Sequence, residues 1–134
     1  MRSDKLSTFF LIFNHQFTAV QEMDACASLG VRNIVNLPAE LQELWRNIPP
    51  DLPEIKNYLD PIQKWLSSQA NEGDHVLIQG DFGACFLMVN FAFEHNLIPV
   101  YSTTQREVVE EEQPNGAVRL THHFQHQIFR KYRR

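Results

Sequence analysis

Unbroken apolar blocks alternate along this chain with blocks whose apolar residues recur every three or four positions. Thr8-Phe-Phe-Leu-Ile-Phe13 is continuously apolar, which predicts a central strand covered on both faces. Thr18 can cap a helix running to about Leu29, with Val20, Met23 and Ala27 on one face and Gly30 as its stop. Val31–Leu37 reads as a second strand. Pro38 suits the first position of a short helix carrying Leu41, Leu44 and Trp45, which Pro49-Pro50 ends. From Pro53 the spacing Ile55, Leu59, Ile62, Leu66 predicts a third helix, kinked at Pro61. Gly73-Asp74 returns the chain to a strand over Val76–Gln79. The next segment, about Phe82 to His95, is a helix apolar nearly all round, as expected between the sheet and another layer or a partner subunit. Leu97–Tyr101 is the following strand.

This alternation predicts an α/β fold: a Rossmann-like three-layer sandwich with a mostly parallel central sheet and right-handed connections. The end of the chain breaks the rhythm. Pro114-Asn-Gly116 is a turn signal, so the acidic segment Glu107–Glu112 is expected to pair with Val118–Phe129 in a C-terminal β-hairpin. Two-residue alternation puts Val118, Leu120, Phe124 and Ile128 on one face with His122 and His126, and His123 on the other.

Length bounds the organisation at one domain over residues 1–134. Met1–Lys5 reads as a polar lead-in to the first strand rather than a secretory leader, and no apolar run reaches the length of a membrane span. Cys26 and Cys85 fall in apolar segments, which predicts two buried free thiols and a reducing cytoplasm. The net charge of −4 argues against a coat for long nucleic acid. Residues 65–105 contain no lysine or arginine. A phosphate bound there would rely on backbone N–H groups and on Arg106 or a cation from elsewhere in the fold. The basic end, Arg130-Lys-Tyr-Arg-Arg134, reads either as solubilising surface or as such a source.

Three polar clusters lie beyond predicted strand ends: Asn14-His15, Gln79-Gly-Asp-Phe-Gly83 and Ser102-Thr-Thr-x-Arg106. Parallel α/β sheets bind ligands at that level, so the three are expected to line one crevice. Gly80 and Gly83 would let a bulky or anionic group approach. The plainer alternative is a tight turn with Asp81 as a helix cap. Hydroxyls and amides at Ser102, Thr103, Thr104, Asn14 and Gln79 can orient ribose or base edges, Arg106 can clamp a phosphate, and His15 can shuttle a proton. Asp81 opposes an anion unless it accepts backbone N–H groups, holds His15 or meets a ribose hydroxyl. Metal binding is not expected: His122 and His126 would stand roughly 13 Å apart on a strand, and no Cys-x-x-Cys or His-Glu-x-x-His motif occurs. Dinucleotide and P-loop signatures are absent, and Asp81-Phe-Gly83 lacks the rest of a kinase.

Taken together, Phe13-Asn-His-x-Phe-Thr18, Leu37-Pro-x-Glu-Leu-Gln-x-Leu-Trp45, Ile48-Pro-Pro50, Gln79-Gly-Asp-Phe-Gly83 and Tyr101-Ser-Thr-Thr-x-Arg106 give the chain a recognisable signature. It resembles the small stand-alone CRISPR-associated proteins of type III systems that are related to CARF (CRISPR-associated Rossmann-fold) domains and act as ring nucleases. The resemblance implies a homodimer that binds a cyclic oligoadenylate, most often cyclic tetra-adenylate, across two crevices. It also implies linearisation of that messenger, with no cofactor, to switch off CRISPR signalling. Carried onto this sequence, the ligand would meet Asn14, Gln79, Gly80, Asp81, Phe82, Gly83, Ser102, Thr103, Thr104 and Arg106, and His15, Arg106 and Asp81 would serve catalysis. The chemistry expected is attack of a ribose 2′-hydroxyl on the adjacent phosphorus, leaving a 2′,3′-cyclic phosphate. CARF effectors carry a second catalytic domain for which this chain has no room. Either the pocket is itself the enzyme, or the protein is a messenger-binding sponge or regulatory subunit. A third alternative is a structural interaction module built on the apolar helix and the hairpin.

Overall fold

The computed structural model describes residues 7–134, so the lead-in Met1–Lys5 lies outside the described residues. One five-stranded sheet runs in the order β2-β1-β3-β4-β5, with β1 at Thr8–Ile12, β2 at Asn33–Asn36, β3 at His75–Ile78, β4 at Ile98–Glu112 and β5 at Val118–Lys131. The first four strands are parallel, and β5 returns antiparallel to β4 as the C-terminal hairpin. The mostly parallel α/β architecture is the one the hydrophobic pattern predicts. Phe9–Ile12 and Val76–Ile78 are almost fully buried because β1 and β3 hold the middle of the sheet and are covered on both sides.

On one side Phe10, Ile12, Val76 and Ile78 pack under α2 (Ala39–Arg46), α3 (Asp60–Gln69) and α4 (Phe82–Glu94). On the other, Phe9, Leu11, Leu77 and Val100 meet Phe17, Phe129, and α1 (Ala19–Asp24) with the π-helical turn Ala25–Leu29 that continues it. Burying each such side chain contributes about 1.5–3 kcal/mol.

Several local expectations are corrected. Val20, Met23 and Ala27 do share one side of α1, but it is the solvent side, and Gln21 and Ala25 face the sheet. The rings of Phe17 and Phe129 fill the space beneath this helix, so small and polar side chains suffice there. Gly30, at φ 69°, ends the turn. Pro61 opens α3 in its first turn, where a missing N–H costs nothing, instead of kinking a longer helix. Cys26 is exposed and Cys85 only half-buried, although both thiols are free. Among the described residues no helix is long and apolar enough to cross a membrane.

The largest departure concerns the hairpin. Ser102–Arg106 does not lie beyond a strand end, because β4 continues through it to Glu112. Its pairing with β3 stops at Val100, and from there β4 and β5 run on as a two-stranded arm. A bulge between Ser102 and Thr104 shifts the alternation of β5. Thr103 bonds the backbone of Ile128 through its hydroxyl, Phe129 turns inward, and Ile128 stays exposed.

Candidate functional site

β1 and β3 end where β4 keeps going, and this step leaves a hollow of about 800 Å³ on the α1 side of the sheet. Phe13, His15 and Gln16 line it after β1, Thr18, Val20 and Gln21 from the start of α1, and Gln79 after β3. The β-arm supplies Ser102, Thr104, Phe124, Gln125 and His126. The lining carries amides, hydroxyls, imidazoles and aromatic rings, with neither a carboxylate nor a lysine or arginine.

Gln79 is the hinge of this arrangement. Beyond Val100 the Ser102 N–H has no β3 carbonyl to meet, and the Gln79 side-chain oxygen accepts it instead at 2.7 Å. The Gln79 carbonyl accepts the buried Trp45 indole N–H at 3.0 Å. The indole lies so close to the next residue that a Cβ on Gly80 would sit 2.9 Å from its nitrogen. Gly80 is therefore a packing requirement as much as an opening for a ligand.

Beneath the hollow runs a chain of polar contacts. His126 joins Asp24 at 2.6 Å through Nε2 and Ser102 Oγ at 2.5 Å through Nδ1. Gln21 donates to the same Oγ at 3.4 Å. Ser28 donates to the other oxygen of Asp24 at 2.5 Å, and that bond, with lesser help from His126, holds the Asp24 carboxyl below its ordinary range. His126 rests on the Phe129 ring, 4.4 Å between centroids, and its side chain is 5% exposed.

Of the residues singled out from sequence, the fold gathers His15, Gln79, Ser102 and Thr104 around this hollow. The rest lie elsewhere. Asn14 is exposed and does not line it. Asp81 caps α4 by accepting the Ala84 N–H at 3.0 Å, and Gly83 sits against that carboxylate. Gly80 and Phe82 line a second hollow on the α4 side, of about 720 Å³, together with Gln79, Phe86, Tyr132, Arg133 and Arg134. Thr103 is absorbed by the bulge. Arg106 stands one alternation beyond Thr104 on the same face of the arm, outside the lining, with its guanidinium 2.8 Å from His122 Nδ1. Asp24, Gln21 and Gln16 carry no signal in the strand-end pattern, and the sequence reads His126 as part of a half-buried hairpin face. The Thr18-x-x-Gln21 capping pattern was the available signal that Gln21 points back into the fold.

In the second hollow burial, aided by the nearby Asp81 charge, pushes the Cys85 thiol up to about 11. Burial likewise raises the Tyr132 phenol to about 12. The Tyr132 hydroxyl donates to Ile78 O at 2.7 Å, and this ties the basic end of the chain to the sheet.

A family profile described as "Uncharacterized protein MJ1673 family" matches residues 7–130. The chain is similar to "Uncharacterized protein MJ1673" of Methanocaldococcus jannaschii, 50% identical over 123 residues that cover 92% of this chain and 95% of the relative. No solved structure matches.

Proposed function

For this chain, which belongs to the MJ1673 family, we propose that the α1-side hollow binds and opens a cyclic oligoadenylate, cyclic tetra-adenylate, as a ring nuclease. The observation that carries this reading is the hollow's lining. Amides at Gln16, Gln21, Gln79 and Gln125 suit purine edges, hydroxyls at Thr18, Ser102 and Thr104 suit ribose, and Phe13 and Phe124 offer stacking faces. Its place at the carboxyl ends of β1 and β3 suits a polar ligand.

In the reaction a ribose 2′-oxygen forms a bond to the adjacent phosphorus, and the phosphorus–O5′ bond breaks with its electron pair going to O5′. Holding the 2′-oxygen in line supplies much of the acceleration. His15 gives a proton to the leaving O5′, and Arg106 reaches the phosphate from the rim. Replacing His15 by Gln lowers single-turnover cleavage about 100-fold. The direct test incubates cyclic tri-, tetra- and hexa-adenylate with the protein, with and without a chelator, and analyses products by chromatography and mass. A 2′,3′-cyclic phosphate product in both arms supports the reading. Tight binding with an intact ring would instead support a sponge, and no binding of any ring would favour an interaction module.

The working unit in this proposal is a homodimer in the cytoplasm, a compartment that suits the free, exposed thiol of Cys26. On the crevice face of the arm, exposed Val108, Val118, Leu120 and Phe124 form an apolar surface continuous with the hollow. The base of that face carries Arg106 and His122, and its tip carries Glu110 and Glu112. Two arms meeting tip to base would pair these charges reciprocally, as a two-fold contact requires. Light scattering is expected to show a dimer that Leu120→Glu converts to a folded monomer; a monomeric wild type contradicts it.

A further inference from the structure

We infer that Asp24, His126 and Ser102 form a proton relay whose end at the hollow, the largely buried Ser102 hydroxyl, removes the proton from the attacking 2′-oxygen; this rests on the nuclease reading above. Ser102 and His126 border the hollow and Asp24 stands behind them, with 2.5 Å from Ser102 to His126 and 2.6 Å from His126 to Asp24.

One placement of the hydrogens joins these donors and acceptors into a line. The Thr18 backbone N–H can only donate, and it meets Gln21 at Oε1, 2.9 Å away. The other end of that amide, its NH₂, therefore faces Ser102 and donates to Oγ. With Oγ accepting from Gln21, the proposed relay places the Ser102 hydrogen on the bond to His126 Nδ1, 2.5 Å away. Nδ1 is then bare and the imidazole hydrogen lies on Nε2, where Asp24 accepts it. Asp24 takes hydrogen bonds on both oxygens, from Ser28 and from His126, as an ionised carboxylate does. In this placement the Nδ1 lone pair is aimed at the serine hydroxyl, with the Asp24 carboxylate behind Nε2.

Both ring nitrogens are engaged and the side chain is nearly buried, so His126 meets a substrate only through Ser102. As the 2′-oxygen bonds to phosphorus, its proton passes to Ser102 Oγ while the Ser102 proton passes to His126 Nδ1. The imidazolium so formed is stabilised by Asp24. The P–O5′ bond breaks, and O5′ takes a proton from His15. No oxidant, reductant or further reactant enters. Ser102 is the residue that touches the reacting atoms; His126 and Asp24 act through it as positioning residues. Sequence spacing could not reveal this line, since Asp24 and His126 are 102 residues apart.

The test pairs a ligand-free readout with a kinetic one on the full chain. Long-range ¹H–¹⁵N spectra of the imidazoles at pH 7.5, with His126 assigned by its loss in His126→Asn, are expected to show a protonated Nε2 and a bare Nδ1. Asp24→Asn should shift the hydrogen toward Nδ1. Ser102→Ala and His126→Asn should each slow single-turnover cleavage of cyclic tetra-adenylate about 100-fold while changing its Kd less than about threefold. Ser102→Thr, which keeps the hydroxyl, should restore the rate to within about tenfold. A His126 protonated at Nδ1 in the wild type, or Ser102→Ala cutting at the wild-type rate, overturns the relay and leaves the nuclease reading standing. A wild type that binds the ring and never cuts it overturns both.

Discussion

Two hollows meet at Gln79, one on each side of the sheet, and they differ in kind. The α1-side hollow is neutral, rich in amides and hydroxyls, and floored by an imidazole held between a carboxylate and a serine. The α4-side hollow is aromatic and cationic, with Phe82 and Phe86 exposed and Arg133 and Arg134 at its edge. Its two polar hydrogens of chemical interest, on Cys85 and Tyr132, are held on by burial up to about 11 and about 12. Charge alone would have placed an anionic ligand on the α4 side. The connected line of polar groups lies on the α1 side, where Ser102 and His126 border the hollow with Asp24 behind them.

The sharpest way to break this division is through Trp45, which holds the Gln79 carbonyl from the α4 side while the Gln79 side chain serves the other. Trp45→Ala should cost about 3–5 kcal/mol in urea unfolding, and the loosened Gln79 should lose ligand affinity on the α1 side. Next in size is Gly80→Ala, whose methyl would press on the indole from 2.9 Å away. It should cost about 1–3 kcal/mol by the same measurement. If Gly80→Ala were neutral in stability and harmful to binding, the glycine would be serving a ligand instead of Trp45.

A smaller effect follows from His75, which is buried with Nδ1 unpartnered among the described residues. Burial chiefly, with Lys131 adding to it and Asp74 opposing, lowers its pKa from 6.5. The unfolded chain therefore takes up this proton more readily than the folded one. Stability from this source is complete above about pH 6.5, and it falls as the pH drops toward the depressed value. Thermal melts from pH 7.5 to 5 should show a decline that His75→Leu flattens. The smallest expected effects lie in the α4-side hollow. Arg133→Ala with Arg134→Ala should leave the single-turnover cleavage rate within about threefold of wild type, and thiol titration at pH 7.5 should find Cys26 fast and Cys85 slow.

Much of the body of the fold was legible because it rests on local rules. Continuous apolar runs marked β1 and β3 as central, Thr18 and Gly30 marked the ends of the first helix, and Pro114-Asn-Gly116 marked the hairpin turn. The site was half legible. The rule that polar clusters sit at strand ends holds for His15 and Gln79, which follow β1 and β3, whereas Ser102 and Thr104 border the hollow from within β4. It failed for Asp81, where helix capping used the carboxylate, and for Arg106, which a longer β4 carried out along the arm. Asp24 and His126 were hidden for a different reason. Their pairing depends on a bulge at Thr103 that turns β5 by one position, and no periodicity in the sequence announces such an insertion.

Backbone amide mapping of labelled protein titrated with cyclic tetra-adenylate tests most directly which side of the sheet holds the ligand. The account predicts that the largest shifts fall at His15, Gln21, Gln79, Ser102, Thr104 and His126, with Phe86 and Arg133 unmoved. Shifts concentrated at Phe82, Phe86, Tyr132 and Arg133, with Ser102 and His126 unmoved, would contradict it.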